Sequence, residues 1–550
     1  MPVEPTPTTR PSLRLRADVP EPEVDWAARA ARPAVIVLAA LFVVVGAAGQ
    51  ELGPAEARVG LAAGDPVGPF GRAFGFWDPS VWPLPVALGR LWAWFEQDGP
   101  TAGAVRWPAA IAGVVIGIML ARRGRLTIGP RAGFLVALGW FGSVALIDRS
   151  AGLGLDLVAG LGVVAALDRL LAKGSGWAVG AWASLAFLAG GWPPLAVLGL
   201  ATIVLGRSGA TWTWRMSVPV VATVATWSAW ALRSAPTEAW ASALTLPITR
   251  PSAWGLALGT IAAGCPWAPF AALGLSRSVR DGWPGAGRPW AMGWLQVAGA
   301  SLIVGTIVPG LASAAMVPAL AGLAVAAGCA WDRAWAGADG LSTAARRGLL
   351  GLALALAGAW FLVVLAWGGY LGFAVAYYRS TAIGALILGG AALLFALAAA
   401  YRGDPRRALG SMILVALALK LAHWGYYVPE CNYRYGAGPW GRAIGQWVPE
   451  KQPIFVLHAW PADLAFATNR PVRQLHSPQH VEFQPGKGSK FVLLQDTEYA
   501  EYQGWSQGWP KLIKVAEFED EMGLSRRVLA RTEGPVLFDR PYRPTGPAEN

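Results

Sequence analysis

Long apolar runs separated by short polar turns occupy residues 33–425 of the chain. The first is Pro33–Gln50, and after a stretch of loop the others lie near 105–121, 132–147, 152–171, 177–189, 194–206, 216–232, 253–274, 291–308, 312–330, 349–369, 380–400 and 408–425. Most approach the ~20 residues that an α-helix needs to cross hydrocarbon. The pattern therefore predicts an α-helical polytopic membrane protein with about thirteen transmembrane helices, each near that length. One broken helix is the alternative reading of the two runs flanking Gly190-Gly191-Trp192-Pro193-Pro194. Val81–Phe95 is apolar but too short to span, and it carries Pro83 and Pro85, so it is expected to be a helix lying in the interface. Beyond residue 425 the pattern changes. Pro453–His458, Pro471–His476 and Lys490–Gln495 read as strands, with Ala462–Thr468 and Thr497–Trp505 helical between and after them. Alternation of this kind predicts a small C-terminal α/β domain. The expected division is a disordered cytoplasmic tail (1–32), a transmembrane domain (33–425) with a long outer loop (51–104), an extracytoplasmic α/β domain (426–535) and a flexible tail (536–550). A cleaved signal peptide ending near Gly46-Ala47-Ala48 is the rival reading of the first run, and the long polar stretch ahead of it argues against that.

Composition agrees with lipid as solvent. Hydrophobic residues make up 55% of the chain and charged ones 14%, against roughly 25% charged in soluble proteins, and the mean hydropathy is +0.42. The formal charge of +12 is not a nucleic-acid signal, because the arginines sit in short turns between apolar runs. With the N-terminus inside, inner loops carry Arg122, Arg123, Arg125 and Arg131, later Arg277, Arg280 and Arg288, then Arg346, Arg347, Arg402, Arg406 and Arg407. Outer loops carry chiefly Arg149, Arg233, Arg250 and Arg379. Arginine bias of this kind orients membrane proteins. It predicts a multi-pass protein of a bacterial-type inner membrane, N-terminus cytoplasmic and C-terminal domain outside. Of the cysteines, Cys265 and Cys329 fall in apolar runs and only Cys431 in a loop, so neither a disulfide framework nor a metal cluster is expected. No cofactor is implied.

The loop at 51–104 is more than a connector. It mixes Glu51, Glu56, Asp65 and Asp78 with Arg58, Arg72 and Arg90, and it is rich in Trp and Phe. A loop of this length with amphipathic elements is more often functional than passive, although aromatic anchoring at the headgroups accounts for part of its composition.

Several segments carry a family resemblance by their order and spacing. Glu51–Val59 (ELGPAEARV) is similar to a "D-E-x-R-Y" segment after a first helix, and Phe76–Pro83 (FWDPSVWP) to a "K-P-P-L-x-Y-W" segment. Ala104–Gly113 (AVRWPAAIAG) is similar to "A-x-R-L-P-S-A-L-x-G". Asp148-Arg149 followed by Asp156 stands where an Arg and an Asp are expected in the second outer loop. Phe455–Trp460 and Leu464–Val472 (LAFATNRPV) match the late "V-Y…L-x-F-Y-L-x-R-P-V" pattern. Together they resemble the polytopic glycosyltransferases of the GT-C superfamily, which include protein O-mannosyltransferases and the aminoarabinose transferases of lipid A. The resemblance implies a GT-C-like fold and transfer of a sugar from a polyprenyl-phosphate carrier to an acceptor at the outer membrane face, with membrane lipid as surroundings and no nucleic acid. It implies catalytic carboxylates among Glu56, Asp148 and Asp156, Glu56 foremost, and donor-phosphate contacts from Arg58, Arg106 and Arg149. Neither sugar nor acceptor is specified.

The chain also departs from that pattern. Ala55 stands at the family's catalytic Asp, Asp78 at the Lys of "K-P-P", and Ala189-Gly190-Gly191-Trp192-Pro193 replaces "T-K-G-P". Two alternatives stay open: a catalytically degenerate relative that binds a polyprenyl lipid or a partner protein, and a transporter or flippase. Charges within the runs are few, Asp156, Asp168 and Lys420 being the notable ones, and the transporter reading ranks last because no repeated halves are visible.

Overall fold

A computed structural model describes residues 33–38, 41, 57, 59–61, 82–96, 102–143, 153–206, 212–234, 253–283, 285, 287–336, 341–430, 438–449, 452–456, 461–475, 489–504, 511–519 and 526–533. The expected tails at 1–32 and 536–550 lie outside the described residues, as do most of the first run and much of the loop 51–104.

The apolar runs fold as helices. In chain order these are α1 (Pro83–Glu96), α2 (Ala102–Thr127), α3 (Pro130–Phe141), α4 (Leu153–Leu171), α5 (Gly176–Gly190), α6 (Trp192–Gly206), α7 (Trp214–Ser234) and α8 (Ala253–Ala263). A 3-10 helix (Ala268–Leu275) follows, then α9 (Gly287–Ile307), α10 (Ala312–Trp335), α11 (Thr343–Ala374), α12 (Arg379–Arg402) and α13 (Pro405–Ala422), which continues into a π turn at His423–Tyr427. Among the described residues six helices are long and apolar enough to cross a membrane, and a seventh span results if α8 and the 3-10 helix are counted as one. The protein is thus polytopic and mainly α-helical, with a small C-terminal sheet. Its α1 begins at Pro83, whose fixed φ and missing N–H suit a first helical turn.

Helix α10 is the axis of the bundle, buried along most of its length. Small residues let neighbours come close, as expected where lipid supplies no hydrophobic drive between helices. Gly139 of α3 lies against Ala324, Gly328 against Val136, and Gly322 against the backbone of α9 at Trp294.

One end of the bundle is pinned by charge. Arg123 Nε of α2 reaches Asp168 Oδ2 of α4 at 3.2 Å, and the Trp290 indole of α9 donates to Asp168 Oδ1 at 3.0 Å. Arg131 Nε at the start of α3 lies 2.6 Å from Asp332 Oδ1 at the end of α10. We call this end the basic face and the opposite one the sheet face.

Two runs depart from the expectation of a simple span. Within the run at 132–147 a helix ends at Phe141, capped at Gly142; residues 144–152 lie outside the described residues. At 12 residues, α3 is about 18 Å long, well short of the ~30 Å hydrocarbon layer. The run at 253–274 breaks at Gly264-Cys265-Pro266-Trp267, with α8 and the 3-10 helix bent by 109°. Gly-x-Pro is a strong helix breaker.

The C-terminal segment adds α14 (Gly438–Trp447), β1 (Ile454–Val456), α15 (Pro461–Thr468), β2 (Val472–Gln474), β3 (Phe491–Gln495), α16 (Asp496–Gly504), β4 (Leu512–Glu519) and β5 (Arg526–Thr532). The five-stranded sheet has the order β2-β1-β3-β5-β4. Strand β1 is parallel to both neighbours, pairing Phe455 with Arg473 and with Val492, and the last two strands join antiparallel. Its three residues are all buried, as a central strand covered on both faces requires. One face packs against Ile444, Leu464 and Ala465 of α14 and α15; the other packs against Tyr502 of α16. The three expected strands and two expected helices are all present, while β4 and β5 were not foreseen.

Candidate active site at the sheet face

Segments far apart in sequence converge where α2 and α4 begin. Ala57 and Val59 are buried, and Gly60 beside them is wedged between Val105 of α2 and the Phe466 ring of α15, where an added Cβ would come within 2.6 Å of the ring. Leu61 packs against the hydrophobic core of the sheet. The start of the long loop is therefore clamped between the helix bundle and the C-terminal domain. One turn on, Trp107 of α2 stacks on Trp92 of α1 with centroids 5.4 Å apart.

A second junction joins α1 to the break between α5 and α6. Gly191 adopts φ +72°, and the Trp82 ring lies directly on it, in space a Cβ would occupy. Only glycine meets both demands without strain. Around it Trp82 packs with Phe187 at 5.6 Å and Trp227 at 4.9 Å, and Phe187 packs with Trp192 at 5.4 Å. Gly190 is equally tight, with Ala159 and Pro194 each 2.9 Å from where its Cβ would be. The lysine that the family motif has here would displace both neighbours. Beside this aromatic cluster lies an open cavity of about 760 Å³ between α1, α5 and α7, lined by Pro83, Val86, Arg90, Leu188, Thr226 and Trp227 among others. Its walls are mainly apolar and its size falls in the usual range for small-molecule sites.

Of the six candidate site residues, Arg106 and Asp156 are described. Arg106 is the fifth residue of α2 and only 3% exposed. Asp156 is the fourth residue of α4 and half-buried; helix α4 packs along α2. Both thus sit in opening turns at the sheet face, and an acid in a first turn is favoured by the helix dipole. Glu56, Arg58, Asp148 and Arg149 lie outside the described residues, but Glu56 and Arg58 flank Ala57, and Asp148 and Arg149 fall in the segment joining α3 to α4.

The sequence reading passed over the floor of this region. Helix α3 ends at Phe141, and Lys420 Nζ of α13 donates to the Phe141 carbonyl at 2.6 Å. Trp267, in the break after α8, is buried with its indole nitrogen against Gly142. The Trp140 indole donates to Gly113 O of α2 at 2.9 Å, which places this floor about 10 Å below Arg106 by the helical rise over seven residues. Backbone that leaves a helix at such depth is tolerated where protein shelters it or where it lines a water-filled cavity. The signals were visible: the lone lysine in an apolar run and the Gly-x-Pro in another.

Arg470, inside the LAFATNRPV segment, takes a structural part. Its guanidinium donates to Val448 O at 2.8 Å, Gly445 O at 2.9 Å and Asn469 O at 3.0 Å. It thereby satisfies the C-terminal carbonyls of α14, as a cation near a helix end does.

Fold and candidate site together define a polytopic, mainly α-helical membrane protein that carries a small α/β domain at its sheet face. Comparison with solved structures bears on that class directly. ArnT from Cupriavidus metallidurans in the apo state is similar with a TM-score of 0.64 and 17% identity, covering 91% of this chain and 98% of that one. The structure of the same ArnT bound to undecaprenyl phosphate gives 0.64 and 17%, over 90% and 97%. At this identity the likeness shows the fold. No protein-family model matches the chain, and no curated protein matches it in sequence.

Proposed function

We propose that the protein is a membrane glycosyltransferase that moves a sugar from a polyprenyl-phosphate carrier to an acceptor at the outer face of a bacterial-type inner membrane. One observation carries the reading: Gly60, just after the first motif-like segment, packs against Val105 of a second and Phe466 of the late one, at one face of a fold similar to that of ArnT. The arginine bias assigns the basic face to the cytoplasm, so the sheet face, with residues 426–535 as its domain, points outward.

In the proposed reaction a carboxylate among Glu56, Asp148 and Asp156 takes the proton of an acceptor hydroxyl as its oxygen attacks the anomeric carbon. The bond from that carbon to the phosphate oxygen breaks, and its electron pair stays on the phosphate. Arg106, with Arg58 and Arg149, stabilises that developing charge. The apolar cavity beside Trp82 and Trp227 suits the isoprenoid tail next to the reacting headgroup.

The departure at Gly190 favours a second reading, a lipid-binding relative without catalysis, because the packing there excludes the motif lysine. Sugar transfer from polyprenyl-phosphate donors, measured with wild type, Glu56→Gln and Arg106→Gln in proteoliposomes, separates the two. We expect wild-type turnover and a loss of about 10²–10⁴-fold in Glu56→Gln. Equal rates in those two remove Glu56 from the mechanism, and undecaprenyl phosphate binding without transfer from any donor selects the second reading.

A further inference from the structure

The charge at the floor of the sheet-face region has no part in the mechanism so far. Lys420 is half-buried near the end of α13, at a depth where an isolated cation is costly and functional by default. Among the described residues no carboxylate pairs with it, and the Phe141 carbonyl is its one hydrogen-bond acceptor. An ammonium has three donors, so among the described residues two stay available to another group. A helix C-terminus carries only about half a negative charge, so it leaves Lys420 partly uncompensated. A second donor converges on the same peptide: the Trp267 indole N–H, 2% exposed, meets no acceptor among the described residues and lies against Gly142. Two donors, one of them charged, thus face the end of α3, a 12-residue helix about 18 Å long.

We propose that Lys420 and Trp267 form a deep anion subsite that takes the phosphate of a polyprenyl monophosphate. It extends the glycosyltransferase reading, and rests on it, by giving the headgroup a seat about two helical turns beneath Arg106. Among the described residues the lysine holds charge there without a rival carboxylate, and the indole adds a directional donor. The spent carrier phosphate, once its sugar has left, is the form with the greater negative charge and the greater pull toward this floor.

The test is equilibrium binding of undecaprenyl phosphate and of undecaprenol to the full-length protein in nanodiscs, with inorganic phosphate as competitor. Lys420→Gln keeps a donor for the Phe141 carbonyl and removes the charge, so it separates anion binding from the capping of α3. Wild type is expected to prefer the phosphate lipid, and Lys420→Gln to weaken that lipid by about tenfold, the scale of one charge-assisted hydrogen bond, with undecaprenol unchanged. Lys420→Arg keeps the preference, and Trp267→Phe loses a smaller part of it. Competition by inorganic phosphate that vanishes in Lys420→Gln supports a headgroup site. Unchanged phosphate-lipid affinity in Lys420→Gln overturns the subsite while leaving the glycosyltransferase reading in place. Equal weakening of both lipids together with a lower melting temperature marks a purely structural cap and also overturns it. A wild type indifferent to the phosphate overturns both readings.

Discussion

At the basic face Asp168 and Asp332 each hold an arginine within 3.2 Å, whereas at the sheet face Asp156 and Lys420 meet no opposite charge among the described residues. The two ends share the same helices and the same solvent. A buried charge without a partner costs several kcal/mol, so a fold selected for stability alone would pair both sets or replace them with apolar residues. Paired charges at one end read as staples. At the other they read as groups kept for a ligand, which is where unpartnered ionisable residues concentrate.

The sharpest way to break the comparison is to neutralise one carboxylate from each end. Asp156→Asn should lower sugar transfer by about 10²–10⁴-fold while the melting temperature holds or rises, because among the described residues this half-buried carboxyl meets no opposite charge. A wild-type rate in that variant removes Asp156 from the site. Asp332→Asn should do the reverse, leaving Arg131 without its partner. The expected cost is about 3 kcal/mol, the low end for a broken buried pair, since Arg131 is 24% exposed. Thermal unfolding in detergent measures it, and Arg131→Met with Asp332→Leu should recover most of the loss. A double variant no more stable than the single one would mean that charge pairing is not what Asp332 supplies.

A smaller effect tests the aromatic cluster beside the apolar cavity. Gly191→Ala drives a methyl into the Trp82 ring and holds alanine at φ +72°, which should cost about 1–3 kcal/mol. Because Trp82 packs on Trp227, which lines the cavity between α1, α5 and α7, affinity for undecaprenyl phosphate should fall with it. Unaltered affinity in a destabilised Gly191→Ala protein would place the lipid elsewhere.

Helices were legible because period and length both register in hydropathy. The short strands β1, β2 and β3 were legible because they are apolar runs bounded by turn residues. Strands β4 and β5 were not: LIKVAEFE and RRVLART carry charge on alternate or leading positions, and that pattern is shared by solvated helix faces. The stops in α3 and α8 were hidden because apolar loop and apolar helix look alike to a hydropathy window. Of the candidate site residues, Arg106 and Asp156 lie near the starts of neighbouring helices. Lys420 stood out as a charge in an apolar run, but its partner did not, because Phe141 lies 279 positions away in sequence. Arg470 looked like a motif residue of chemical interest, yet its partners are backbone carbonyls, a distinction that needs coordinates.

The weakest expected effect concerns a pair that belongs to neither end. On the sheet, Lys514 donates to Glu517 in full solvent. That hydrogen bond holds the Glu517 carboxyl below its ordinary value of 4.5. A depressed carboxylate contributes stability above its unfolded value and loses it as pH falls through the folded one, so any contribution from this pair is present at neutrality and fades below pH 4.5. Exposed pairs are screened and cost side-chain entropy. Lys514→Ala should therefore leave the melting temperature at pH 7 within experimental scatter and alter only the acid limb of the stability curve. If it destabilised the protein as much as Asp332→Asn, burial would not be what separates a staple from an ornament, and the contrast between the two faces would lose its physical basis.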